Sequence, residues 1–595
     1  MRPVPDIHRP EPNSLDLVRA RETVGVSPLV SFVTRSKSPK FARAALIAAM
    51  ALAATSLPTG AIAQTQSAAS SDGPVYTLTA EQWRQDLKFM ADELLRRHKN
   101  PFHAMTKEQF TQAVADLDGR IPSLQRNEII VGMMRIAAMI GDGHTRIDPR
   151  KDERFGFPSL PLRLYLFDDG LYVRAAAPKE AALVGAKITA IGGVPVDEAI
   201  RRVSTIISKD NEMTDKLIAP VFLNMPDILQ ALKLSPRRDA AVFTLSKGKK
   251  SWTATIPAGA IAPRWPDDTD GSFITPDGWV DARATPKPPL WLEAPLEFHR
   301  MVDLPERHAL YTQLNEVTGI KDESLADFGV KIRKEAERTN PQKLIVDLRL
   351  NYGGNMDLRS GYIRELIKAE DDDTQLYVLS ARGSFSATEA ILVDLRRLTK
   401  AVFIGEPASS KPNSYGDGYR SRLPNSKIAV QTSIFWHQLG GQANVPWTGV
   451  QLATPLTFAD YAAGRDPALE AALDYKPRPL LYPTLLDAAK TGGVPATMKA
   501  LAAYKADVGN RYLNFASIEP QAGELLLGAE RPDEALAVAQ DSVRAYPESV
   551  DAWIVLAFVA QRVGSTGVAL DAARKTLELD PNNRSARNIM EKLGS

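Results

Sequence analysis

The chain of 595 residues contains no cysteine. That absence excludes disulfides, thiolate metal ligands and a cysteine nucleophile, and it leaves the redox compartment open. Charge of either sign is not in excess either. Seventy-three basic residues face seventy-one acidic ones, a formal net charge of +2, so the whole chain carries no basic signature of a nucleic-acid partner. Long hydrophobic runs are scarce. The most apolar stretch, Ala44 to Leu57, spans about 14 residues, too few for a comfortable membrane crossing. What remains is an ordinary globular mixture, 44% hydrophobic and 24% charged, too long for a single core.

The short apolar run has a purpose of its own. Arg35, Lys37, Lys40 and Arg43 precede it and Ala61-Ile62-Ala63 follows it. A basic flank, an apolar stretch and a small-x-small site together predict a secretory signal peptide. Residues 1–63 are therefore expected to be a signal peptide with an N-terminal extension, and the location periplasmic or secreted. The 35 residues ahead of the basic flank are unusual for such a signal, and the true start is expected downstream of Met1. The rival is an uncleaved anchor; after cleavage no stable membrane span is expected.

Chemistry concentrates between residues 343 and 416. Lys343-Leu344-Ile345-Val346-Asp347-Leu348-Arg349 reads as a buried strand running into Asn351-Tyr352-Gly353-Gly354-Asn355. Gln375 to Ser380 reads as a second strand. It ends at Gly383-Ser384-Phe385-Ser386-Ala387, where a helix opens, and Ala401 to Glu406 reads as a third strand. Strands alternating with a glycine loop and helices predict an α/β core with parallel strands and crossover helices. Both loops then leave the carboxyl ends of strands, where sites form in open α/β sheets. Ser386 at a helix start suits a nucleophile, and the N–H groups of Gly353, Gly354 and Ala387 are candidates for an oxyanion hole. The plainer alternative is that Ser386 is only a helix cap.

The segments KLIVDLRLNYGGN, VLSARGSFSATEA and VFIGEP resemble the core of the tail-specific (C-terminal processing) serine peptidases. That family includes the tricorn core peptidase and the retinoid-binding repeats of the interphotoreceptor protein. The resemblance covers roughly residues 76 to 480. It implies a catalytic core of the ClpP/crotonase type, Ser386 as nucleophile, a peptide or protein substrate, and neither cofactor nor metal. Non-catalytic ligand-binding members of the same fold keep open the alternative of a weak or inactive binding protein, and an esterase-like hydrolase is a third possibility.

Two bases compete for the serine. His144, in Gly141-Asp142-Gly143-His144-Thr145, stands where the tricorn-like branch keeps its histidine, and imidazole has the pKa for the task. Lys411 follows Ser386 by 25 residues, the spacing of the Ser-Lys members of the family, but the position four residues later is Tyr415. A lysine base must be desolvated, and the loop Ser409 to Asp417 is polar, so His144 is preferred and Lys411 kept as the alternative. The tricorn-like branch has a glutamate shortly before a final Gly-Val. Here that segment, Asn444 to Val450, contains no acid. Asp142, Asp417 and Glu406 are candidates to orient the base.

Around this core the chain divides by pattern. Residues 64–75 form a linker and 76–150 a helical domain, with Trp83, Leu87, Met90 and Leu94 at helical spacing. His98 and His103 lie there without a second ligand pair at metal spacing. Residues 158–258 read as a small β-rich module, and Gly185 to Val196 resembles the carboxylate-loop side of a PDZ domain. Residues 205–235 read as a helical insertion into it. Residues 259–308 read as a loop and linker in which Trp265, Trp279 and Trp291 either line a cleft or pin the loop. The peptidase domain is expected at 309–480, then a proline-rich linker, Pro477 to Pro483. The tail, 484–595, is helical, and Pro547 and Pro581 end two similar units 34 residues apart, the period of tetratricopeptide repeats. Two units bury little surface, so they are expected to dock on the body or on a protein partner.

The export signal generates the first prediction. Protein recovered from its host is expected to begin at Gln64, as mass spectrometry of the mature N-terminus will show. An intact N-terminus on cytoplasmic protein rules export out.

Overall fold

The computed structural model describes residues 77–149, 153–259, 273–285, 287–441 and 444–594. The expected signal peptide, the linker 64–75 and Trp265 lie outside the described residues. Among those residues no helix is long and apolar enough to cross a membrane.

Three helices open the fold: α1 (Ala80–Arg97), α2 (Lys107–Arg120) and α3 (Arg126–Met139). Each starts at a capping box, Thr79 with Gln82, Thr106 with Gln109, Gln125 with Glu128, in which side chains satisfy N–H groups the first turn leaves open. An antiparallel sheet follows, built from β1 (Leu162–Phe167), β2 (Gly170–Ala176), β3 (Lys187–Ile191) and the short β4 (Val194–Pro195). Next come α4 (Val196–Ser204), α5 (Glu212–Phe222) and α6 (Pro226–Ala231), then β5 (Ala240–Lys247) and β6 (Lys250–Pro257). The strand order is β1-β2-β3-β5-β6. The helices and this sheet share one hydrophobic core: Leu87, Met90, Leu94 and Ile130 pack with Leu162, Ile188 and Phe243. Residues 76–150 and 158–258, read as two domains, thus form a single body.

The segment 259–308 needs correcting. It was expected to be loop and linker, yet it contains β7 (Val280–Asp281), paired with β2, the helical turn α7 (Leu290–Glu293), and β8 (His299–Leu304). β8 is the antiparallel edge of a second, otherwise parallel sheet, paired with β9 (Ala309–Leu314). All of its residues but one are half-buried, so the sequence shows no clean alternation. Trp291 pins the segment: its ring meets Phe273 edge-on at 4.7 Å and takes the Arg349 guanidinium at 4.6 Å.

After β9 come α8 (Leu325–Thr339), β10 (Lys343–Asp347), α9 (Arg359–Ala369), β11 (Gln375–Ser380), α10 (Ala387–Leu398) and β12 (Val402–Gly405). A two-stranded ribbon, β13 (Asn413–Arg422) with β14 (Ala429–Gln438), precedes β15 (Leu452–Ala453). The sheet order is β15-β12-β11-β10-β9-β8, with every pair parallel except the β8 edge. Leu344, Val346, Leu376 and Val378 face one core, under α8, α9 and α10; Ile345, Tyr377 and Leu379 face another. Burial on both faces is why these strands read as continuous apolar runs. At the end of β10, Arg349 bridges Asp347 (2.6 Å) and Asp466 (2.7 Å) in the interior.

Two small helices, α11 (Phe458–Ala462) and α12 (Pro467–Leu473), lead to a tail of helices: α13 (Leu481–Ala506), α14 (Phe515–Gly528), α15 (Pro532–Ala545), α16 (Val550–Arg562), α17 (Thr566–Leu579) and α18 (Arg584–Leu593). The proline-rich linker ends earlier than expected, since α13 starts at Leu481. The tail has its own core, including Val538, Leu556, Ala569 and Ala572. It is tied to the rest of the fold at 508–512. Tyr512 is buried in the core beneath the parallel sheet, its carbonyl accepts from Trp447 Nε1 at 3.2 Å, and Arg511 pairs with Asp168 in the β1–β2 turn.

Tyr512→Ala removes a buried ring that no neighbour can replace. It is expected to cost about 3 kcal/mol, measured as a lower denaturant midpoint for the body that holds the parallel sheet. An unchanged midpoint means the tail is not anchored there.

Candidate active site

Ser386 lies between β11 and α10 with φ 56° and ψ −119°, a conformation that side chains with a Cβ rarely adopt. Strain of this kind persists only where the surroundings over-determine it, and such residues cluster at functional sites. The plainer alternative of a helix cap fails, because the Ser386 side chain makes no capping hydrogen bond. Its hydroxyl instead meets His144 Nε2 at 2.9 Å, across 242 positions of sequence.

The turn that carries His144 is fixed by Asp142. Asp142 Oδ1 accepts from the backbone N–H of His144 (2.9 Å) and Thr145 (2.7 Å) and from Ser433 Oγ (2.6 Å), and Oδ2 pairs with His98 Nε2 at 3.0 Å. Burial disfavours its charge, but the bonds from His98 and Ser433 outweigh it and hold the carboxyl at about 2. The ribbon supplies the second fastening, since Arg146 and Gln431 exchange backbone hydrogen bonds at 2.9 Å. The His144 ring stacks on Phe385 at 4.6 Å. Burial, then the charge of Arg146, lowers its pKa to about 4, against the opposing pull of Asp142. The imidazole is therefore neutral, and able to accept a proton, over the whole physiological range.

Glycine is required at both positions of the facing loop. A Cβ on Gly353, whose φ is +117°, would lie 2.8 Å from Ser386 Cβ; one on Gly354, at φ +132°, would lie 2.4 Å from the Val317 carbonyl. The three expected oxyanion donors must be reduced to two. Gly353 N–H is already given to Asn351 Oδ1 at 3.0 Å, because the asparagine folds back over its own turn. The Ser386 N–H is likewise taken, by Ser410 Oγ at 2.8 Å. Gly354 and Ala387 keep N–H groups without a partner among the described residues, and both line the cleft that holds Ser386 and His144. The cleft encloses about 590 Å³ and is walled also by Asn355, Asp417 and His437.

Lys411 is not brought to the serine. No hydrogen bond joins the two, and Lys411 acts instead on the buried Asp210 through its charge and its backbone N–H. None of the three candidate acids reaches the free nitrogen of the base. Asp142 holds the turn, Asp417 lies 3.3 Å from His437 Nε2, and Glu406 is paired with Arg382 at 2.6 Å. No side chain reaches the buried His144 Nδ1 among the described residues; the Tyr415 backbone faces the ring and pulls its pKa upward. His98 and His103 are occupied by Asp142 and by the carbonyls of Asn100 and Gly141.

Two functional neighbours escaped the sequence reading. Glu389, on the same helix face as Ser386, is buried; Thr448 donates to its Oε1 from Oγ1 at 2.6 Å, and burial raises its pKa to about 8. Its spacing of three from the serine was visible, but the reach to Thr448 was not. Asp210, in the helical insertion of the β-rich module, gave no sequence signal.

No family model matches the chain, and no curated protein matches it. Among solved structures it is similar to mature CPAF complexed with lactacystin, at 13% identity over 66% of this chain and 97% of that one, with a TM-score of 0.44. It is similar also to the photosystem II D1 C-terminal processing protease (14% identity, 61% and 91% covered, TM-score 0.27) and to the tricorn protease (14%, 66% and 36%, TM-score 0.29).

Gly353→Ala tests the packing of the glycine loop on the serine. A methyl 2.8 Å from Ser386 Cβ, on a backbone that L-residues avoid, is expected to cost about 1–3 kcal/mol and to displace the serine. Thermal unfolding and reaction with a fluorophosphonate both report it; wild-type behaviour in both refutes the close packing.

Proposed function

We propose that this chain is a serine-type hydrolase acting on peptide bonds, of the tail-specific kind that its sequence resembles, and that it works after export. One observation carries the reading: a strained Ser386 in 2.9 Å contact with a buried, neutral His144. In this reading Ser386 Oγ attacks the scissile carbonyl while His144 Nε2 takes its proton. The N–H groups of Gly354 and Ala387 receive the oxyanion. The imidazolium then gives its proton to the departing amine, and water repeats the sequence on the acyl-enzyme. No carboxylate reaches Nδ1, which favours a slow enzyme: the ring is held by stacking on Phe385 and by the Tyr415 backbone, and only the more distant Asp142 offsets the positive charge it acquires.

The test is reaction with a fluorophosphonate and turnover of an unfolded protein substrate. Ser386→Ala is expected to abolish both. His144→Ala is expected to cost about 100- to 10,000-fold, and Lys411→Ala little. A base that is deprotonated above about 4 makes kcat/KM rise through that pH and reach its plateau by about 6, rather than rise near the 6.5 of a free imidazole. A dead Lys411→Ala beside a near-normal His144→Ala transfers the base to the lysine. No effect from any of the three leaves a binding protein on a peptidase fold.

A further inference from the structure

The helical insertion of the β-rich module does not extend its sheet. It points the first turn of α5 at the catalytic loops. Asp210 Oδ1 accepts the N–H of Gly143, the residue before His144, at 2.9 Å. Next to it, Asn211 Nδ2 donates to three carbonyls: Ala408 at 3.1 Å, Ser410 at 3.2 Å and Pro446 at 2.8 Å. One turn on, Thr214 Oγ1 donates to the Ser409 carbonyl at 3.0 Å. Asn211 Oδ1 meanwhile caps α5 by accepting from Met213 N–H at 2.9 Å. The loop 408–411 held in this way carries Ser410, whose hydroxyl accepts the Ser386 N–H at 2.8 Å. A single turn of helix therefore touches both halves of the site, the base through Gly143 and the nucleophile through Ser410. All three side chains are buried.

We propose that Asp210, Asn211 and Thr214 are positioning residues that set the distance between His144 and Ser386, and that the β-rich module is thereby a working part of the active site. The proposal rests on the reading of those two residues as base and nucleophile. None of the three is placed to touch substrate. A buried amide sharing its two N–H protons among three carbonyls from two loops leaves those loops no low-energy alternative, because each freed carbonyl would be unpaired. The clasp also has a titratable member. Burial, reinforced by the charge of Asp142, raises Asp210 to about 7, while the Gly143 N–H and Lys411 pull it down. The charged groups that face it are Asp142 on the histidine turn, Lys411 on the 408–411 loop and Glu389 on α10. Above neutrality the ionised carboxylate holds the Gly143 N–H more strongly than the neutral acid does.

The experiment follows the second-order rate of fluorophosphonate labelling of the full chain between pH 5 and 9. The wild type is expected to show a further rise through about 7. Asp210→Asn, which keeps an acceptor for Gly143 but cannot ionise, is expected to label within a few fold at pH 6 and to lack that second rise. Asn211→Ala and Thr214→Val are expected to label about 10- to 100-fold more slowly while circular dichroism shows a folded chain. If Asn211→Ala does not fold, the isosteric Thr214→Val and Asp210→Asn decide the matter alone. Wild-type rates in Thr214→Val together with an unchanged profile in Asp210→Asn overturn the clasp. A wild type that is not labelled at all, like Ser386→Ala, overturns instead the hydrolase reading beneath it.

Discussion

The hydrogen bond between His144 Nε2 and Ser386 Oγ is where the constraints of the fold meet. Its two ends belong to different bodies, the helical and β-rich body and the parallel sheet, and nothing local brings them together. Ser386 occupies a backbone region that disfavours it, and His144 gives up solvation that would keep its ring charged. Both costs are stable only because packing elsewhere removes the alternatives. The Gly353 backbone fills the space beside the Ser386 Cβ, and Phe385 fills the space beside the His144 ring.

Asp142 shows how such a contact is held at long range. It is a buried carboxylate with four donors drawn from α1's C-terminal histidine, its own turn and the ribbon β13–β14. Removing one partner of a buried, hydrogen-bonded charge costs about 3–5 kcal/mol, because the other is left uncompensated. The sequence suggests an acid to orient the base, and Asp142 lies two residues away. Its work is different: it orients the backbone that carries the base. The ribbon reaches the site by the same logic. Ser433 anchors Asp142, while Gly416, Asp417 and His437 close the cleft.

What could be read from sequence was local. Apolar runs marked β10 and β11, a Thr-x-x-Gln pattern marked the start of α1, and a 34-residue spacing marked paired helices in the tail. Ser386 and the paired glycines stood out because a helix start and a close backbone approach each impose a residue type. The misses were long-range. The edge strand β8 pairs on one side only and shows no alternation. Gly353 was an unsuitable donor only because Asn351, two residues earlier, already held its N–H. Glu389, Asp210 and Asn211 looked like ordinary helix-start polar residues, and only tertiary contacts across 59 to 235 positions give them a role.

The lack of a carboxylate on His144 Nδ1 bears on what this site can do. A base at a pKa of about 4 is available at every physiological pH, but it is a weak one, and the imidazolium formed on attack has Arg146 and His437 nearby and no anion at its second nitrogen. In the proposed mechanism proton transfer to such a base is uphill, so the donors of Gly354 and Ala387 would carry a larger share of transition-state stabilisation than in a triad with its acid in place. A substrate carbonyl held between Gly354 and Ala387 becomes an oxyanion only as Ser386 attacks, and its negative charge then lies beside the ring. That charge raises the basicity of His144 as attack proceeds, so the substrate supplies part of the electrostatic support that the chain itself omits.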